Sequence, residues 1–261
     1  MSKVIFLRVG TVFAVLYLPT EKVKLGVIYC RGGPCFGDDG NTALFKQLCD
    51  QYKTAILVPD YLGSNRSLGT EFSMSNIVKT INIAEKYLSG MTTGIDLGNK
   101  QPLILKLQKI GLVGSSFGGA LACNYFTAYP STLIKKLGLI AAETDWSLDK
   151  DKEGLLYELS VIWKGTFRRI DKANWKTIIF GKSKYWNPVD NVSNLKEIQV
   201  LIAHGAADNI VDVIQSNNYF NKLKEIGNLG SKIRIYKNVG HGEKIKNKGM
   251  NYFFKNWNHD I

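Results

Sequence analysis

Six short apolar runs, at 25–30 (LGVIYC), 55–58, 110–113, 137–142, 200–203 and 233–236, limit the folds open to this chain more than any other feature. Each is too brief for a helix buried all round, yet apolar on both faces of an extended strand. Between them lie stretches with helical spacing. In 42–52, Leu44, Phe45, Leu48 and Cys49 fall on one face; in 77–88, Ile77, Ile81, Ala84, Tyr87 and Leu88 do the same. Further helices are predicted over 117–129, 213–226 and 244–257. Strands buried on both faces and alternating with helices predict a mostly parallel sheet covered on both sides. A hairpin precedes it, with strands at about 3–8 and 11–18 and a turn at Gly10-Thr11.

The composition is that of a globular protein: 261 residues, 45% hydrophobic, 21% charged, with 25 Gly and only 6 Pro. That excludes disordered and collagen-like chains. No apolar run approaches the roughly 18 residues of a membrane span. Lys+Arg 34 against Asp+Glu 22 gives a net charge of +12. The cations are scattered, apart from Lys244, Lys246 and Lys248, and no nucleic-acid-binding motif accompanies them. They predict a solvated basic surface that could favour anionic substrates, with no nucleic acid partner. Four cysteines without a CxxC pair predict buried thiols in a reducing compartment and no metal site. The apolar stretch 4–18 is broken by Arg8 and Gly10 and has no small-residue cleavage site, which reads as a cytoplasmic protein.

One stretch breaks the alternation. Residues 143–190 separate two strands and carry Trp146, Tyr157, Trp163, Phe167, Trp175, Tyr185 and Trp186. A structureless loop of that length is unusual in a compact domain. The reading is one domain over 1–261 with a helical lid at 143–190, its aromatics mainly packing it to the sheet and Trp163 reaching substrate.

Gly114-Ser115-Ser116-Phe117-Gly118 lies between a strand and a helix, the context that gives a G-x-S-x-G sequence its meaning. A sharp strand-to-helix turn needs flanking glycines and holds the central serine strained and exposed. Ser116 is therefore the candidate nucleophile, with Ser115 a neighbour. A hydroxyl needs a base, and the base an orienting carboxylate. Of three histidines, His259 is nearly C-terminal and His204 ends a buried strand, so His241 in a Gly-His-Gly loop is the candidate base. Asp208, just beyond the strand at 200–203, is the candidate acid, with Asp212 and then Asp145 as alternatives. The oxyanion of acyl transfer requires donors. The amide of Phe117 is one, and Gly33, with Gly32 beside it, supplies the second from the loop after an earlier strand.

These segments, taken together over residues 25–245, resemble the α/β-hydrolase fold and most closely the catalytic domain of the prolyl oligopeptidase family and its small esterase relatives. Arg31-Gly32-Gly33-Pro34 is similar to that family's His-Gly-Gly-Pro loop, and Pro59-Asp60-Tyr61-Leu62-Gly63-Ser64 to its Pro-Asn-Tyr-Arg-Gly-Ser segment. GSSFGG at 114–119 resembles its nucleophile turn, and 201–211 its acid segment; Gln215-Ser216 and Gly240-His241-Gly242 also fit. Arg31 and Leu62 depart from the pattern where His and Arg are usual. Both flank the pocket, so substrate preference does not carry over, and Arg31 becomes a candidate substrate contact. These 261 residues have no room for the β-propeller with which the family's peptidases grip a peptide amino terminus. The resemblance thus implies a cofactor-free serine hydrolase acting on small-molecule carboxylic esters. A peptidase or thioesterase with the same triad, and a non-catalytic binding protein, are the alternatives; oligomeric state is open.

Overall fold

The structure, a computed structural model, describes residues 2–23, 25–33, 37–129, 133–162 and 164–257. The chain opens with a hairpin, β1 (Lys3–Val9) and β2 (Val12–Leu18), turned at Gly10 with φ +55°. There follow β3 (Leu25–Cys30), α1 (Ala43–Tyr52), β4 (Thr54–Pro59) and α2 (Met74–Leu88). Two short strands, β5 (Gly94–Asp96) and β6 (Pro102–Leu103), lead into β7 (Ile110–Ser115), α3 (Phe117–Ala128) and β8 (Ile134–Ile140). After a long excursion carrying α4 (Lys152–Tyr157) and α5 (Lys172–Ile179) come β9 (Gln199–Gly205), α6 (Val213–Glu225), β10 (Lys232–Tyr236) and α7 (Glu243–Trp257).

The described strands form one sheet in the order β10-β9-β8-β7-β3-β4-β2-β1-β5-β6. From β10 to β4 every pairing is parallel; from β4 to β6 every pairing is antiparallel. The apolar runs explain the layering, because successive strand residues point to opposite faces. In β3, Ile28 and Cys30 join a core under α2, α3 and α6, whereas Val27 and Tyr29 join a core under α1 and α7. In β4, Ala55 and Leu57 divide from Ile56 and Val58 in the same way.

The parallel strands make an α/β-hydrolase fold with a crevice at a defined place. From β3 the chain steps to β4 on one side, then crosses to β7 on the other. Loops leaving the carboxyl ends of β3 and β7 therefore diverge and leave a cleft between them.

Residues 143–190 lie between β8 and β9 and are built of α4, α5 and shorter helical turns, including a π-helical turn at Glu158–Ile162. Trp146, Phe167 and Trp175 pack inward, whereas Tyr157 and Tyr185 are exposed. Phe72 stacks on Phe167 and Trp175 with centroids 4.1 and 5.5 Å apart, and Phe117 meets Trp146 and Trp175 at 5.8 and 6.0 Å. The indole N–H groups find carbonyls, Trp175 donating to Phe72 and Trp146 to Trp186, both at 2.9 Å. This third cluster seats the excursion on the first turns of α2 and α3. Trp163 lies outside the described residues.

Candidate active site

The turn from β7 into α3 is forced by sequence. A Cβ at Gly114 would overlap the Gly118 carbonyl, and one at Gly118 would overlap the carbonyls of Cys30 and Arg31. The two glycines thus let the turn close on itself and let β3 pass against the start of α3. Ser116 sits between them at φ +52°, ψ −129°, a region that costs a residue with a side chain about 1–3 kcal/mol. Its backbone is held from three directions. The amide donates to Ile140 O at 2.9 Å, and the carbonyl accepts from Gly119 at 2.8 Å and Glu143 at 3.1 Å. Ser115 lines the same cavity as Ser116, but its Oγ is engaged by the Tyr29 hydroxyl at 2.7 Å.

Ser116, Gly32, Gly33, Arg31 and His241 all line one cavity of about 320 Å³ at the crevice predicted from topology. His241, in the loop between β10 and α7, donates from Nδ1 to Asp208 Oδ2 at 2.8 Å. Donation to a carboxylate fixes the tautomer, leaving the Nε2 lone pair for the cavity. Among the described residues no direct hydrogen bond joins Ser116 to His241, though both line the cavity.

Asp208 follows β9, and its side chain is fully buried. Its Oδ1 accepts from the amides of Ile210 and Val211 at 3.0 and 2.9 Å. Its Oδ2 receives His241 and, at 3.2 Å, Nε2 of His204. Burial alone would raise this carboxyl. The hydrogen bonds from His204 and His241, the His241 charge and the Ile210 amide outweigh burial and hold it well below the usual carboxylate range. The two alternative acids face other tasks. Asp212 caps α6 through the Ile214 amide and pairs with Lys150 at 2.7 Å. Asp145 accepts from Ser147 and Asn187.

His204 is a buried strand residue, as its sequence setting predicts, but it also joins the acid. Val211 O and Asp208 are both acceptors, so Nε2 carries a hydrogen, and in the neutral ring Nδ1 accepts from the Ser216 hydroxyl at 2.7 Å. Within one short segment His204, Ile210 and Val211 all brace the same carboxylate.

Phe117 opens α3, where the first amides have no partner inside the helix. Gly33 lies against it, since a Cβ at Gly33 would come within 3.1 Å of the Phe117 ring. Arg31 borders the cavity but is anchored behind it. Its guanidinium meets the buried Asp60 at 3.0 Å, and Asp60 also holds Arg66 at 2.8 Å. Tyr61 donates to Arg31 O at 3.0 Å, fixing the loop that carries the glycines. Cys30, just before that loop, is no rival nucleophile: burial pushes its thiol up to about 12.

A second cavity of about 310 Å³ opens from the other side of Ser116, Gly33 and Phe117, towards Trp146, Val211 and a buried acid, Glu143. No sequence motif marked Glu143. Its neighbour Gln215 did stand in the resemblance, and the structure gives it a task. Gln215 Oε1 accepts from the amides of Thr144 and Asp145, both at 2.9 Å, and its Nε2 donates to Glu143 at 2.7 Å.

Among the described residues no helix is long and apolar enough to cross a membrane. No curated protein matches the chain in sequence. Solved structures do match in fold. Carboxyl esterase 2 from the mycorrhizal fungus Tuber melanosporum has TM-score 0.67 at 19% identity, with 98% of this chain and 87% of that one covered. The acylaminoacyl peptidase of Pyrococcus horikoshii has TM-score 0.62 at 16% identity, covering 98% of this chain but 40% of its own length. A monoacylglycerol lipase of Paleococcus ferrophilus has TM-score 0.58 at 14% identity, with 88% and 90% covered. Residues 47–257, which run from α1 through the serine turn and the Asp208 segment to the end of α7, match the sequence profile of the Prolyl oligopeptidase family, and the chain belongs to that family.

Proposed function

We propose that this hydrolase cleaves carboxylic esters of small molecules through an acyl-enzyme, with Ser116 as nucleophile. The observation that carries the reading is the 2.8 Å bond from His241 to buried Asp208 at the edge of the cavity Ser116 lines. His241 Nε2 takes the Ser116 proton as Oγ bonds to the ester carbonyl carbon. Asp208 stabilises the imidazolium. The amides of Phe117 and Gly33 hold the oxyanion. Collapse of the tetrahedral adduct breaks the ester C–O bond, and the alcohol leaves with the proton from Nε2. Water, deprotonated by the same nitrogen, then releases the acid and Ser116. No step calls for a cofactor.

The ester reading is supported by the overlap with an esterase structure over nearly all of both chains, against 40% of the acylaminoacyl peptidase. In this reading 143–190 is a lid that contributes Glu143, Trp146 and Leu155 to the wall of the second cavity, which takes the acyl group. A peptidase of the family would use the same groups, so substrate decides between them. Purified protein assayed on p-nitrophenyl esters of graded acyl length, beside peptide p-nitroanilides, separates the two. The expected result is ester turnover that falls by several powers of ten in Ser116→Ala. Turnover of anilides alone favours the peptidase. An unchanged rate in Ser116→Ala rules out the assignment. A binding protein on this fold would turn over neither.

A further inference from the structure

We infer that the cavity on the acyl side of Ser116 takes an acyl group bearing a positively charged nitrogen, with Glu143 as the residue that pairs with it. The inference deepens the proposed function and rests on Ser116 acting as nucleophile.

The leaving alcohol must receive its proton from His241, so it occupies the cavity that His241 lines. The acyl group then falls on the other side, in the cavity lined by Ser116, Gly33 and Phe117 but not by His241. That cavity is acidic in a protein of net charge +12. Its wall carries Glu143, Asp149, Asp151 and Glu158. Lys150 is the one cation among the described lining residues, and Asp212 holds it at 2.7 Å.

Glu143 is only 7% exposed. One carboxyl oxygen accepts from Gln215, and among the described residues the other accepts no hydrogen bond. The residue is tied to the nucleophile through its own amide, which donates to Ser116 O at 3.1 Å. A buried carboxyl without a cation is costly to ionise. Burial first, then the Asp149 charge, push Glu143 up to about 8; Gln215 opposes this, and Asp145 and Asp208 add to it. A bound ammonium would supply the missing charge at the open oxygen. Trp146, Leu155 and Val211 give the rest of that wall an apolar surface for the carbon skeleton.

The test compares the p-nitrobenzyl esters of L-alanine and propionic acid, identical but for the amino group, in the wild type and in Glu143→Gln. The wild type should favour the alanyl ester in kcat/KM by about tenfold or more, the scale of a desolvated charge pair. Glu143→Gln should collapse that ratio. A wild-type preference for the propionyl ester overturns the inference, as does a ratio unchanged in the variant. Fluorophosphonate labelling of Ser116 keeps the two levels apart. Labelling with no alanyl preference removes the charge pairing and leaves the serine hydrolase. Absence of labelling removes both. Should neither ester turn over, L-alaninamide should still slow labelling of the wild type more than propionamide does. Equal effects of the two amides overturn the pairing.

Discussion

At the scale of single residues, the site depends on how firmly one carboxylate is held. Asp208 accepts hydrogen bonds from two backbone amides and from His241, and Nε2 of His204 lies 3.2 Å from its Oδ2. Asp208→Asn keeps the shape but cannot fix the His241 tautomer, and should lower kcat by about 10⁴. His204 acts on His241 only through Asp208. His204→Asn should lower kcat more than it raises KM, with a smaller loss than Asp208→Asn. Equal loss in the two would assign His204 a direct part in the chemistry. Glu143 gives a prediction of opposite sign. A carboxyl whose folded value is raised weakens folding as pH climbs from the ordinary carboxylate value to about 8. Glu143→Gln should therefore be more stable than the wild type, with a gap that opens across that window and is absent below it. Its upper size is a few kcal/mol, at about 1.4 kcal/mol per pH unit. Urea unfolding at pH 5 and pH 8 measures the gap; a variant less stable at pH 8 contradicts this account of the buried acid.

At the scale of elements, the turn between β7 and α3 has no room for side chains at its glycines. A methyl group at Gly118 meets the Cys30 and Arg31 carbonyls, and one at Gly119 meets the Cβ of Ala142. Gly118→Ala should displace the loop that carries Gly33 and remove ester turnover even where the protein folds, which circular dichroism beside the assay would reveal. In the excursion, Trp175 fills the space between Phe72 and Phe117. Trp175→Ala should destabilise by about 3–5 kcal/mol, measured by denaturant midpoint. The helices and parallel strands were legible in sequence because each apolar run is too short for a buried helix and lies between stretches of helical spacing. Strands β5 and β6 were not: they hold three and two residues, too few to impose a period of two. The serine turn was legible because its glycines are steric requirements. Glu143 was not, because its burial depends on Gln215, which lies 72 residues away in the chain. The brace from His204 to Asp208 was likewise hidden, since four residues of spacing in a loop do not fix a distance.

At the scale of the whole molecule, the sheet changes character at β4. The parallel half carries every element that reaches the crevice, and the antiparallel half, β2, β1, β5 and β6, extends the core away from it. Charge is divided as unevenly. The chain carries a net charge of +12, while the cavity beside Glu143 is lined by carboxylates. Bulk charge alone points to an anionic substrate, the cavity to a cationic acyl group. Because a surface field is screened within about 10 Å at 0.1 M salt, added salt should raise kcat/KM for a cationic ester and lower it for an anionic one. In the proposed mechanism Ser116 is made nucleophilic by His241 and Asp208. The most direct measurement is reaction with a fluorophosphonate, with the adduct located by mass spectrometry in the wild type and in His241→Ala. A single adduct on Ser116, lost in His241→Ala, is the predicted result. No adduct, or one on Ser115 or elsewhere, would contradict it.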